Sequence, residues 1–146
     1  MTRFVIEADG GSRGNPGPAA YGTVVRDETG RVVVEAAEYI GVATNNIAEY
    51  SGVLAGLRIV GGLDPTAHVE ARLDSKLVVE QMSSRWKIKH PDIRTIALEV
   101  RAAFPVTQVT YQWVPRESNK AADALVNESL DDVARGGTGA INRRLC

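Results

Sequence analysis

Cysteine is almost absent from this chain, and the only one, Cys146, is the last residue. An internal disulfide and a cysteine-ligated zinc site are both excluded by that single count. The two histidines, His68 and His90, are separated by a strand and a helix and offer no metal-ligand spacing. No apolar run approaches the roughly 20 residues that a membrane span needs. Residues 1–9 lack the charged-then-apolar layout of a secretory signal, so a cytoplasmic protein with no membrane partner is expected. Strong charge of one sign is also missing: the formal net charge is −1, so a nucleic-acid partner would have to be held by a local basic patch. What remains is ordinary for a globular protein, with 44% hydrophobic and 24% charged residues. A length of 146 residues fits one domain, able to bury roughly two-thirds of its unfolded surface.

The stretch from residue 4 to residue 18 carries the most information. Phe4, Ile6 and Ala8 alternate with Val5, Glu7 and Asp9, the period of a strand, which is expected to end at Asp9 where Gly10 and Gly11 follow. Gly14, Pro16, Gly17 and Pro18 then make a loop that frees the backbone and stiffens its exit. It is not a dinucleotide fingerprint, which requires G-x-G-x-x-G running straight into a helix. An acid at a strand end beside exposed backbone amides suits a metal ion better, although a polar turn would read the same way.

Further along, residues 20–26 and 31–39 form valine-rich runs joined by a turn at Asp27-Glu28-Thr29-Gly30, an antiparallel hairpin. Thr44-Asn45-Asn46-Ile47-Ala48-Glu49 opens a helix capped by Thr44 or Asn46. There Glu49 is either a capping-box glutamate or a metal ligand. After Gly61-Gly62-Leu63-Asp64-Pro65, residues 67–73 alternate as another strand and end on Asp74, itself either a cap for a helix begun by Ser75 or a second site acid. A right-handed crossover between the first and fourth strands would bring Asp9 and Asp74 to one sheet edge, beyond the strands' carboxyl ends. Arg85-Trp86-Lys87-Ile88-Lys89-His90 is a basic stretch, either a solvated face or a phosphate contact, before a helix opened by Pro91. Residues 106–114 read as a strand, and a last helix capped by Ser118 or Asn119 carries Asp123 in its first turn. From Arg135 onward a packing pattern is missing, so residues 133–146 are expected to be a flexible tail or the start of a linker.

Asp9, Glu49, Asp74 and Asp123 each have a dull explanation, yet all four fall at an element end or near a helix start. Four carboxylates drawn together would repel and hold their protons unless a cation neutralised them. Oxygen-only ligands favour Mg²⁺ or Mn²⁺ over zinc.

Four motifs resemble the type 1 ribonuclease H family: Asp9-Gly10-Gly11-Ser12-Arg13-Gly14-Asn15-Pro16-Gly17, Thr44-Asn45-Asn46-Ile47-Ala48-Glu49, Leu73-Asp74-Ser75, and Asn119-Lys120-Ala121-Ala122-Asp123. The resemblance covers about residues 3–130. It implies an α/β ribonuclease H-like fold with a five-stranded mixed sheet, strands 1–3 antiparallel and 1, 4 and 5 parallel, flanked by helices on both faces. It implies a catalytic domain over residues 1–132 and a monomer. The expected activity is endonucleolytic hydrolysis of the RNA strand of RNA–DNA hybrids, leaving a 5′-phosphate and a 3′-hydroxyl. By the same resemblance, Asp9, Glu49, Asp74 and Asp123 are the catalytic ligands of two Mg²⁺ ions, with Mn²⁺ able to substitute. Gly11, Ser12, Asn15, Thr44, Asn45, Asn46, Lys76 and Arg116 are the expected substrate contacts.

Two departures stand out. The loop before the last helix, residues 115–118, is short and lacks the histidine that many members use for product release, Arg116 being the nearest substitute. The long basic helix-loop of several members is reduced to residues 85–90, so salt-sensitive hybrid binding is expected, as is room for a further C-terminal domain. Rival readings are a DNA resolvase of the same superfamily, which would not share the Thr-Asn-Asn motif, and a hybrid-binding module without catalysis, which the four acids oppose. A two-metal hydrolase of small molecules is disfavoured by asparagines suited to a 2′-hydroxyl.

Overall fold

Alternating small and branched residues build the sheet, and the computed structural model describes it within residues 2–145. Three antiparallel strands come first: β1 (Arg3–Ser12), β2 (Gly17–Arg26) and β3 (Val32–Ala43). Helix α1 (Asn45–Leu63) crosses to β4 (His68–Leu73), and α2 (Lys76–Met82) and α3 (Pro91–Ala103) lead to β5 (Val109–Trp113). Helix α4 (Lys120–Ala134) and a last strand, β6 (Ile141–Arg144), complete the chain. The sheet order is β5-β4-β1-β2-β3-β6, with β1, β4 and β5 parallel and the other neighbours antiparallel.

The mixed α/β ribonuclease H-like architecture expected from the motifs is therefore present, with six strands in place of five. The sixth comes from the segment expected to be a flexible tail. Its first residues finish α4, and residues 141–144 pair with β3 from Ala37↔Ile141 to Val34↔Arg144. Polar groups of α4 fasten the intervening turn: Ser129 Oγ donates to the Gly139 carbonyl at 2.6 Å, and the Gly139 N–H donates to Asp132 Oδ2 at 2.9 Å. Strand β1 also runs past Asp9. Its parallel neighbour stops at Leu73, opposite Ala8, but β2 continues to pair with it through Ser12↔Ala19. Residues 106–108 form a 3₁₀ turn ahead of the shorter β5.

The main core lies between the sheet and α1 with α3, built on Phe4, Ile6, Tyr50, Val53, Leu57 and Val100. On the opposite face α4 buries Leu125 and Val126 against Val24, Ala37 and Ala20. Two glycines let the helices touch the sheet closely. A Cβ on Gly10 would come within 2.1 Å of the Ala48 carbonyl carbon in α1, and one on Gly22 within 2.4 Å of the Ala122 oxygen in α4. Ala48 and Ala122 directly precede Glu49 and Asp123, so these contacts seat the two acid-bearing helical turns against β1 and β2.

Candidate active site

Asp9 lies in β1 just past the end of its parallel pairing with β4, and Asp74 directly follows the last residue of that neighbouring strand. Glu49 enters from α1. Carboxylate oxygens of Asp9, Glu49 and Asp74 all lie within 4.8 Å of one another. Asp123 lies in the first turn of α4, and its side chain is among the neighbours that raise the proton affinity of Asp9. The capping explanations do not hold for the first two helices. Thr44 Oγ1 accepts the Ile47 N–H at 3.3 Å, leaving Glu49 further along α1, and Ser75 Oγ takes the Val78 N–H at 3.3 Å, leaving Asp74 outside α2.

The electrostatics of the cluster are those of acids held together against their charge. Burial, then the neighbouring Asp74, pushes Asp9 up to about 7, with hydrogen bonds from Glu49 and the Gly10 backbone pulling the other way. Burial, then the charges of Asp9 and Asp74, pushes Glu49 up to about 10. Asp74 is also raised, mainly by burial, although a hydrogen bond with Asn119 and the positive charge of Arg116 counter the shift. Glu49 Oε2 is buried without a hydrogen-bond partner. A buried, unpaired carboxylate oxygen facing two further acids is costly unless a cation completes it. The all-oxygen donor set fits a hard divalent ion.

Around the acids, Asn119 does what its position as a helix cap does not suggest. Its side chain makes no cap bond; it is 1% exposed and donates from Nδ2 to the Ala8 carbonyl at 2.9 Å. That bond ties the start of α4 to the strand residue before Asp9. Trp113, at the end of β5, donates its indole N–H to the Asp74 carbonyl at 3.2 Å. Both residues were missing from the expected site. Asn119 could have been found by its place four residues ahead of Asp123, and Trp113 by its place at the carboxyl end of a strand parallel to β4.

The expected substrate contacts separate into two groups. Gly11, Ser12, Asn15, Thr44, Asn45 and Asn46 come together where β1, the following loop and the start of α1 meet. The Ser12 N–H donates to Asn45 Oδ1 at 2.8 Å, the Asn45 N–H donates to Asn15 Oδ1 at 3.1 Å, and Ser12 Oγ donates to the Ala43 carbonyl at 2.8 Å. Lys76 and Arg116, both exposed, lie on the other side of the acids, at the start of α2 and in the 3₁₀ turn Arg116–Ser118. A groove of about 960 Å³ runs from Asn15, Thr44 and Asn46 to Lys87 and Lys89.

Comparisons with known proteins agree with this arrangement. Residues 7–129 match the family described as reverse transcriptase-like. The solved N-terminal RNase H domain of Rv2228c from Mycobacterium tuberculosis superposes with a TM-score of 0.86 at 48% identity, covering 93% of this chain and 99% of that domain. The chain belongs to the type 1 ribonuclease H family. Ribonuclease HI of Halobacterium salinarum is 44% identical over 129 residues, 85% of this chain and 62% of that protein. The LC11 ribonuclease H1, solved in complex with an RNA/DNA hybrid, gives a TM-score of 0.83 at 36% identity, covering 90% of this chain and 99% of its own. The full bifunctional protein Rv2228c is 50% identical over 135 residues, and the match spans 91% of this chain but only 37% of that relative's length. No helix among the described residues of this ribonuclease H domain is long and apolar enough to cross a membrane.

Proposed function

We propose that the chain is the catalytic domain of a metal-dependent endoribonuclease that hydrolyses the RNA strand of RNA–DNA hybrids. The observation that carries this reading is the cluster of Asp9, Glu49 and Asp74, within 4.8 Å of one another and with one Glu49 oxygen buried and unpartnered. Together with Asp123 these residues would hold two Mg²⁺ ions, or Mn²⁺ in their place. Ions bound there supply positive charge to the scissile phosphate and make water nucleophilic at neutral pH. The products would carry 5′-phosphate and 3′-hydroxyl ends.

The chain's own groups account for the choice of strand. Asn15 and Asn45 have their carboxamide oxygens committed to backbone N–H groups, which leaves their amide N–H groups as donors to a ribose 2′-hydroxyl. Thr44, Asn46, Lys87 and Lys89 line the groove that would follow the DNA strand, and Lys76 and Arg116 would meet phosphates beside the acids. Arg116 stands where a histidine serves many family members, and its charge already acts on Asp74. The LC11 hybrid complex, a relative 36% identical, supports a hybrid as the substrate. We further read the protein as a cytoplasmic monomer whose native chain carries an additional C-terminal domain, a reading supported by the 37% share of Rv2228c that the match spans.

The test is cleavage of end-labelled RNA–DNA hybrid, single-stranded RNA, double-stranded RNA and double-stranded DNA, with and without Mg²⁺ or Mn²⁺. The expected result is loss of the hybrid's RNA strand alone, only with metal. Cutting of the DNA duplex would instead place the protein with the resolvases, and tight hybrid binding without cleavage would make it a binding module.

A further inference from the structure

Between α2 and α3 the chain runs through residues 83–90 without regular structure, yet hydrogen bonds hold its backbone at several points. The Arg85 and Trp86 N–H groups donate to the Glu80 carbonyl, and Arg94 Nε donates to the Ile88 carbonyl at 2.9 Å. The third tie is Gln81, whose Nε2 donates to the Lys87 carbonyl at 3.4 Å. Gln81 is 7% exposed, and its Oε1 accepts the hydroxyl of Tyr50 at 2.8 Å. Tyr50 is fully buried, in α1, directly after Glu49. A phenylalanine would fill the same space and require no partner, so the buried hydroxyl is there at a desolvation cost that only Gln81 offsets. A buried polar pair of this kind fixes one arrangement of the elements it joins.

The geometry points to Tyr50 and Gln81 as a positioning relay that sets the basic segment, and Lys87 in particular, at a fixed distance across the groove from Thr44 and Asn46. The relay runs from the acid-bearing turn of α1, through α2, to the Lys87 backbone. It thereby registers the phosphate-gripping side of the groove to the acids. This rests on the proposed hybrid substrate.

The experiment compares wild type, Tyr50→Phe, Gln81→Met, Lys87→Ala/Lys89→Ala and the combination of Tyr50→Phe with the lysine pair. It reads amide hydrogen exchange without substrate, and KM and kcat on a hybrid across salt concentrations. Tyr50→Phe and Gln81→Met should each speed exchange at residues 85–89 while β1 stays protected. KM should rise about 5-fold with kcat within about 2-fold, and the salt slope should fall by about one. In the lysine-substituted background Tyr50→Phe should have no further effect on KM. Slower-melting or faster-melting variants with unchanged exchange at 85–89 and unchanged KM would overturn the relay, as would effects that add to those of the lysines. Should Tyr50→Phe fail to fold, Gln81→Met carries the same comparison. Absence of hybrid binding by wild type would sink the functional reading, and the exchange contrast would still decide on the relay.

Discussion

Replacing Glu49 with glutamine should stabilise the metal-free protein at neutral pH and leave it unchanged in acid. In the fold, burial and the neighbouring acids push Glu49 up to about 10, whereas in the unfolded chain it loses its proton near the ordinary glutamate value of 4.5. A folded-state value raised above the unfolded one gives stability that is complete below pH 4.5 and lost as pH rises toward 10. At about 1.36 kcal/mol per pH unit, the loss between pH 4.5 and 7 is about 3 kcal/mol. Glutamine has nearly the same shape and nothing to ionise, so it escapes this loss. Urea unfolding in EDTA is the assay. With a slope of about 2 kcal/mol per molar urea, the Glu49→Gln midpoint should exceed that of wild type by about 1.5 M at pH 7 and coincide with it near pH 4. Added Mg²⁺ should narrow the gap at pH 7, because a bound ion favours the wild-type carboxylate. A midpoint difference that is the same at both pH values, or a less stable glutamine variant at pH 7, would refute the reasoning.

Three further outcomes follow from the packing around the acids. Gly10→Ala, which forces a methyl group against the Ala48 backbone at 2.1 Å, should displace the Glu49 turn, costing at least about 3 kcal/mol in denaturant unfolding and about 100-fold in kcat. Asn119→Ala removes the buried bond to the Ala8 carbonyl and should destabilise the fold by about 1–3 kcal/mol while lowering hybrid cleavage about 10-fold, both readable on one preparation. Truncation after residue 140 takes away β6 and exposes the β3 edge; the melting temperature should fall by several degrees, and an unchanged value would show that the strand contributes nothing to stability.

Much of this architecture is legible in residue order because its signals are local. The alternation of Phe4, Ile6 and Ala8, the valine-rich hairpin and the apolar spacing in α1 fix the elements that lie around the acids. Type 1 ribonuclease H membership follows from motifs whose spacing the fold then explains: Gly10 and Gly22 are the residues that let acid-bearing turns lie against the sheet. What stays hidden depends on contacts between distant residues. Strand β6 has one apolar residue, Ile141, among Asn142, Arg143 and Arg144, because it is an edge strand exposed on most of its length. The turn that leads into it is fastened by Ser129 and Asp132, on the preceding helix. Asn119 reads as a cap in isolation, and only the approach of α4 to β1 shows that its amide is used elsewhere. The continuation of β1 past Asp9 is hidden for the same reason, since glycines that break a lone strand are held extended by β2.

The measurement that bears most directly on the central claim is single-turnover cleavage of a hybrid labelled on its RNA strand, with Mg²⁺, by wild type and by Asp9→Asn, with the product ends mapped. The account predicts metal-dependent cuts within the RNA that leave 5′-phosphate and 3′-hydroxyl ends, and a loss of at least about 1,000-fold in Asp9→Asn, since Asp9 shares the acid cluster with Glu49 and Asp74. Cleavage that persists in Asp9→Asn, or that proceeds in EDTA, would contradict it.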